Sequence, residues 1–272
     1  MVGLARPRGR LWLAPALLGL AGVVYVLAVG VPQGRAADDA MRPDDAEGTM
    51  WRVLLGVVAE TLRAPTLALA TIAIVATAWR RGGPQLAIGC LLVLVGANAT
   101  TFGLEAVLSA TDPLGAEALR GLGSGFFPSG HATAALSLGL TVVPAAGGRH
   151  RRVAWTAGAY AAAVGVALVA VESHTPSDVL GGFLVAAAWA AAVLPARPRH
   201  QADLLPAWAP AAAGVVAAAL ALAALLVQPP SNAILPFVVA AAGLSAATFL
   251  LTRVVAVAVE PSLRETTARA PA

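Results

Sequence analysis

The chain has 272 residues, of which 58% are hydrophobic and only 12% are charged. Because soluble domains carry about a quarter charged residues, this composition excludes an ordinary soluble domain and indicates a protein that lies mostly in a lipid bilayer. The net charge of +4 does not indicate nucleic-acid binding, since every basic residue is an arginine and most stand in short clusters between apolar runs. A single cysteine, Cys90, excludes an intrachain disulfide.

Long apolar runs predict an all-α fold, a polytopic bundle of about eight transmembrane helices. In chain order, the predicted spans are Leu11–Val31, Ala64–Trp79, Gln85–Leu104, His131–Ala146, Val153–Val171, Val179–Leu194, Ala207–Val227 and Ala233–Thr252.

The regions around these spans divide the chain further. The first span follows a group of arginines, as a signal peptide would, but its apolar run is longer and many spans follow, so we expect a retained helix. Residues 51–62 are expected to lie in the membrane interface. We divide the chain into a six-helix core (1–200), two additional C-terminal transmembrane helices (201–253) and a cytoplasmic tail (254–272) whose composition is typical of disorder.

Arginine clusters occur in every second connection between the predicted spans. Positively charged connections remain in the cytoplasm, so both termini are predicted to be cytoplasmic. The opposite side receives the acidic segment 33–50 and the loops 105–130 and 172–178. The clusters are Arg6/Arg8/Arg10, Arg80/Arg81, Arg149/Arg151/Arg152, Arg197/Arg199 and Arg253.

Two short polar motifs stand at helix starts on this non-cytoplasmic side. Pro128-Ser129-Gly130-His131 opens the fourth span, and backbone N–H groups at such a start can bind an anion with the help of the helix dipole. A plain serine cap beside an incidental histidine would explain the same residues.

The second motif pairs His174 with Asp178 at the start of the sixth span. The two residues are four apart at a helix start, so the Asp178 carboxylate can hold one ring nitrogen of His174 and leave the other as a base or nucleophile. Alternatively, Thr175, Pro176 and Asp178 form only a capping box.

Taken together, segments 125–139 and 174–182 resemble the second and third signature motifs of the type 2 phosphatidic acid phosphatase superfamily, and the similarity covers about residues 98–189. Members of that superfamily are integral-membrane, metal-independent lipid phosphate phosphatases. The resemblance implies a phosphoric ester hydrolase without metal or cofactor, with a lipid phosphate as its partner and a site outside the cytoplasm.

The resemblance also implies roles for individual residues. His174, held by Asp178, attacks phosphorus and forms a phosphohistidine, while His131 protonates the leaving oxygen. Ser129 and Gly130 hold phosphoryl oxygens. Phosphatidate, a prenyl phosphate or diphosphate and phosphatidylglycerol phosphate all fit as substrates of the predicted enzyme.

The chain departs from the family pattern where basic residues are expected to bind phosphate. It has Glu105, Asp112 and Leu168 at those positions. We therefore predict a rearranged cation and select Arg120, in the same loop, although a solvated loop charge is an equal interpretation.

Other hypotheses also explain the departure. In one hypothesis, the chain is a weak or inactive member that binds a lipid or a partner. In the other, the site holds a divalent cation. A transporter is disfavoured, because matching broken helices are not evident in the two halves. The ligands of a divalent cation would come from Glu105, Asp112, Glu172, His131, His174 and Asp178.

Overall fold

A computed structural model describes residues 8–42, 56–58, 61–110, 127–146, 150–171, 174–195, 205–227 and 234–258. Within these ranges all regular secondary structure is helical, which confirms the predicted all-α membrane bundle. The helices are α1 (Arg8–Ala28), α2 (Pro32–Asp39), α3 (Ala64–Ala110), α4 (Gly130–Ala145), α5 (His150–Ala170), α6 (Pro176–Val193), α7 (Ala209–Val227) and α8 (Ile234–Ala258).

Among the described helices, four are long and apolar enough to cross a membrane, and a fifth crossing results if α1 and α2 are counted as one bent span. One of the four, within α3, contains two of the spans predicted from sequence. The total of eight spans therefore stays a prediction.

Helix α3 reverses direction at Gly83, where φ is 74° and ψ is −176°. Arg81 donates a hydrogen bond to the carbonyl of Ala146 (2.7 Å), so the break lies beside the end of α4. Thr61 is hydrogen-bonded to Tyr160, halfway along α5 (2.6 Å). If α3 were straight, Thr61 would lie about 30 Å from Arg81, beyond the end of the bundle, and could not reach Tyr160. Both halves of α3 therefore pack on the bundle.

Helix α6 lies at the centre of the bundle. It packs against α1, α3, α4 and α8, and nearly all of its side chains are buried. Its sequence explains this position, because Pro176 suits the first helical residue and the alanines and glycines that follow allow close helix approach. The sixth span is thus the element around which the others are arranged.

Helices α1 and α2 meet at an angle of 92°, so that α2 lies across the end of α1. Arg35 closes this corner by donating to the carbonyl of Val29 (2.7 Å). Tyr25, near the end of α1, packs on Phe127 just before α4 (5.3 Å between ring centroids). We call residues 32–42 the strap, and the end of the bundle formed by the starts of α4 and α6 the motif end.

Aromatic residues mark the opposite end of the bundle. Trp155, near the start of α5, packs on Trp208 before α7 and on Phe249 of α8 (centroid distances 5.8 and 5.2 Å). Trp12, Trp79 and Trp208 are largely exposed. Tryptophan is enriched where a membrane meets water, so these side chains fit an interfacial position at this end.

Candidate active site

The start of α4 is fixed by Ser129. Its fully buried hydroxyl oxygen accepts the N–H of Ala132 (3.3 Å) and so caps the helix. The peptide bond between Phe127 and Pro128 is cis. Gly130, the first helical residue, is half-buried. The first motif thus places a helix N-terminus, with its outward N–H groups, at the motif end.

The start of α6 has the capping-box arrangement. The backbone N–H of Thr175 donates to the Asp178 carboxylate (3.1 Å), and Pro176 takes the first helical position. The capping box is therefore present, as the alternative interpretation of the second motif predicted. It does not remove Asp178 from the site, because the carboxylate has a second oxygen and further lone pairs.

A direct hydrogen bond joins the two helix starts. The N–H of Ser129 donates to the main-chain carbonyl of Asp178 (2.9 Å), and the Thr133 hydroxyl is 3.3 Å from the Gly182 carbonyl. The approach is possible because Gly181 and Gly182 lack side chains: a β-carbon on Gly182 would lie 2.5 Å from the carbonyl oxygen of Ser129. The two adjacent glycines are the sequence feature from which this contact could have been predicted.

The two motif histidines face each other at this junction. The ring centroids of His131 and His174 are 6.5 Å apart. His131 is exposed, whereas His174 is buried, and its backbone N–H donates to the carbonyl of Leu168 (3.2 Å). Reacting groups approach to about 3–3.5 Å, so two rings at this separation can flank one small group.

The pairing of His174 with Asp178 is loose. The Nδ1 atom of His174 lies 3.6 Å from the nearer carboxylate oxygen, which is too far for a hydrogen bond, and within the described residues this buried nitrogen has no hydrogen-bond partner. Catalytic hydrogen bonds are often long before substrate binds. A small rotation of the ring would complete the contact predicted from the spacing.

Two further acids surround the pair. Glu105, near the end of α3, interacts electrostatically with both His174 and Asp178. Asp38 of the strap accepts a hydrogen bond from the N–H of Ser177 (3.1 Å) and another from its hydroxyl. Burial raises the pKa of the Asp38 carboxyl, and the Asp178 charge adds to that effect. Asp38 was not identified from sequence.

The remaining candidates fall in different places. Arg120, Asp112, Glu172 and Arg52 lie outside the described residues, and Arg63 is exposed. Leu168 is buried in the bundle. In the described part of the chain, no three His, Cys, Asp or Glu side chains are arranged to hold a metal ion.

Comparison with known proteins gives one match. The model of the family described as "PAP2 superfamily" matches residues 60–202, which is more than half of the chain and includes both motifs. No curated protein and no solved structure matches the chain.

Proposed function

The chain belongs to the PAP2 superfamily, whose members are generally phosphoric ester hydrolases, and on that basis we propose that it hydrolyses a lipid phosphate monoester or diphosphate at the non-cytoplasmic membrane face. The observation that carries the proposal is the approach of His131 and His174, at the starts of two separate helices, to a centroid distance of 6.5 Å. Two imidazoles at one membrane surface are not needed for folding.

In the proposed reaction, the Nε2 atom of His174 attacks phosphorus, since its Nδ1 atom faces Asp178. The N–P bond forms while the P–O bond to the lipid breaks, and protonated His131 gives its proton to the departing oxygen. Water then attacks the phosphohistidine with neutral His131 as base, which releases phosphate and restores both rings. Asp178 stabilises the positive charge that His174 acquires.

Binding of the phosphoryl oxygens is assigned to the start of α4 and to Arg120. Both the N–H and the acceptor oxygen of Ser129 are already engaged within the protein, which leaves its hydroxyl hydrogen for a substrate oxygen. The helix N-terminus at Gly130 favours an anion through its N–H groups and dipole. Arg120 supplies the bidentate cation in this proposal.

The proposal is tested by phosphate release from a panel of lipid phosphates with purified protein in detergent. We expect turnover that is insensitive to EDTA, and we expect His174→Ala to reduce it at least about a thousandfold because the nucleophile is lost. His150→Ala, at the opposite end of the bundle, is the matched control and should be fully active. Absence of turnover with every substrate, or full activity of His174→Ala, contradicts the proposal.

A second candidate function rests on the acid beside the histidine. Glu105 interacts with His174 and Asp178 where a phosphate-binding cation is expected, so a substrate dianion meets repulsion. A weak or inactive member that binds a lipid or a partner would explain this replacement. Stable binding of lipid phosphates by the wild type without release of phosphate supports this candidate, whereas loss of turnover in Arg120→Ala supports the enzyme with a rearranged cation.

A further inference from the structure

The strap brings a buried carboxylate to the site from outside the part of the chain that the family model matches. Asp38 and Ser177 are 139 residues apart, yet both carboxylate oxygens of Asp38 accept hydrogen bonds from Ser177, one from its N–H and one from its hydroxyl. Asp38 is 8% exposed and Ser177 is 5% exposed. The contact is therefore a specific link between the strap and the first turn of α6.

This arrangement places an unusual amount of negative charge at one helix start. Asp178 already caps α6 from within the motif, and Asp38 adds a second carboxylate that interacts unfavourably with the first. A serine or asparagine could cap the helix without charge repulsion and with less desolvation. Desolvation and repulsion therefore offset part of the stabilisation that Asp38 gains from its hydrogen bonds and from the helix dipole.

The first turn of α6, which Asp38 contacts through Ser177, determines the relative positions of the site residues. Ser177 lies between His174 and Asp178 in sequence, and the distance between those two side chains is 3.6 Å, just beyond a hydrogen bond. A small movement of this turn changes the gap between ring and carboxylate and also the approach of His174 to His131. Misplacement of reacting groups by about 1 Å can cost a hundredfold in rate.

We propose that Asp38 is a positioning residue of the site, which holds the first turn of α6 through Ser177 so that His174 faces both Asp178 and His131. The inference rests on the proposed function for its kinetic consequence, but its structural consequence is independent of turnover. Within the described residues, the titratable and charged groups around Asp38 include Asp178 on α6 and Arg35, Asp39 and Arg42 on the strap, with Glu105 and His174 beyond Asp178.

The kinetic test uses full-length protein and phosphate release from a lipid phosphate. Asp38→Ala should reduce kcat about 10- to 100-fold with KM changed less than about threefold, because the substrate contacts persist while the nucleophile is displaced. Asp38→Asn should retain most of the activity, since its amide can accept from the Ser177 N–H and donate to the Ser177 hydroxyl. The neighbouring Asp39→Asn, which changes a more exposed acid of the same strap, should be unaffected.

A double-mutant cycle identifies the route of the effect. If Asp38 acts through Ser177, the Asp38→Ala/Ser177→Ala protein should be no slower than Asp38→Ala alone. Additive losses, or wild-type kcat in Asp38→Ala, would overturn the inference.

A chemical test applies whether or not the wild type is an enzyme. The rate at which diethyl pyrocarbonate modifies His174, read by peptide mass spectrometry, should rise several-fold in Asp38→Ala, because the ring is buried in the structure and release of the turn would expose it. It should stay at the wild-type rate in Asp39→Asn and near it in Asp38→Asn. An unchanged His174 rate in Asp38→Ala refutes the positioning role, and absent turnover with an increased rate refutes only the proposed function.

Discussion

At the scale of single residues, Gly181 and Gly182 allow the two motifs to approach closely. A β-carbon on Gly181 would lie 2.4 Å from the ring of Phe127, and one on Gly182 would lie 2.5 Å from a backbone oxygen of Ser129. A ring can rotate away, but the backbone of a capped helix start cannot shift without breaking its hydrogen bonds. Gly182 is therefore the more stringent of the two positions.

We predict that Gly182→Ala lowers both stability and activity. Overpacking of this kind costs about 1–3 kcal/mol, and α6 can avoid the clash only by moving away from α4, which separates His174 from His131. Thermal unfolding in detergent and phosphate release measure the two effects. Gly243→Ala is the matched control, since a β-carbon there meets nothing within 4 Å. Equal behaviour of the two variants would contradict the packing argument.

The buried acid Asp38 predicts a pH-dependent difference in stability. Burial raises its pKa in the folded protein, so the folded state is disfavoured as pH rises through that value and the carboxyl ionises. Asp38→Asn has no such group. Its unfolding temperature should match that of the wild type near pH ~4, where both side chains are uncharged, and should exceed it at higher pH. An advantage of the variant that instead grows toward acid pH would contradict this sign.

Sequence reasoning found the histidines and Asp178 because each stands at a fixed spacing within a short motif. Asp38 could not be found in this way, since its partner Ser177 is 139 residues distant and no local pattern links them. The sequence also could not predict that the contact between His174 and Asp178 is loose. Spacing predicts that the two side chains lie within reach of each other at a helix start, but it does not predict that the N–H of Thr175 donates to the carboxylate oxygen.

Among the elements, α3 depends most on one backbone position. Its reversal at Gly83 uses φ 74° and ψ −176°, a conformation that only glycine adopts without strain. Pro84 follows and cannot continue the hydrogen bonds of the preceding helix. Together the two residues separate an apolar stretch of 47 residues into two packed helices.

We expect Gly83→Ala to destabilise the protein by about 1–3 kcal/mol, the usual cost of a non-glycine residue in this region of backbone space. Thermal unfolding in detergent measures the change. Gly103→Ala, in the same helix and with open space around its β-position, is the control and should be neutral or slightly stabilising. A neutral Gly83→Ala would show that the chain reverses without this conformation.

Hydropathy located the helices well, because a run of about 20 apolar residues is a strong signal in itself. Each predicted span from Leu11–Val31 to Ala233–Thr252 coincides with a described helix or with one half of α3. Hydropathy did not predict the strap, whose helix is short and polar. Its position depends on Arg35 at the corner and on Asp38 at α6, which are contacts between elements.

Across the whole molecule, the two ends of the bundle differ in chemistry. The motif end carries His131, His174, Asp38 and Glu105, whereas the other end carries exposed tryptophans, of which Trp79 directly precedes Arg80 and Arg81. Arginine placement predicts that the latter end faces the cytoplasm. This orientation would expose the proposed site to lipids of the outer leaflet.

Cysteine labelling in intact cells tests the orientation. Cys90 is buried and is first replaced by alanine to give a background without thiols. Gln33→Cys, on the exposed side of the strap, should react with a membrane-impermeant maleimide, whereas Arg151→Cys at the start of α5 should react only after the membrane is permeabilised. The reverse pattern would place the site in the cytoplasm.

His174 is the proposed nucleophile, and trapping its covalent intermediate tests this role. Protein incubated briefly with a lipid carrying radiolabelled phosphate is denatured in alkaline detergent, in which phosphohistidine survives, and the labelled peptide is sequenced. We expect label on His174 in the wild type and in His150→Ala, and none in His174→Ala. Turnover by the wild type without such a label, or label that persists in His174→Ala, would contradict it.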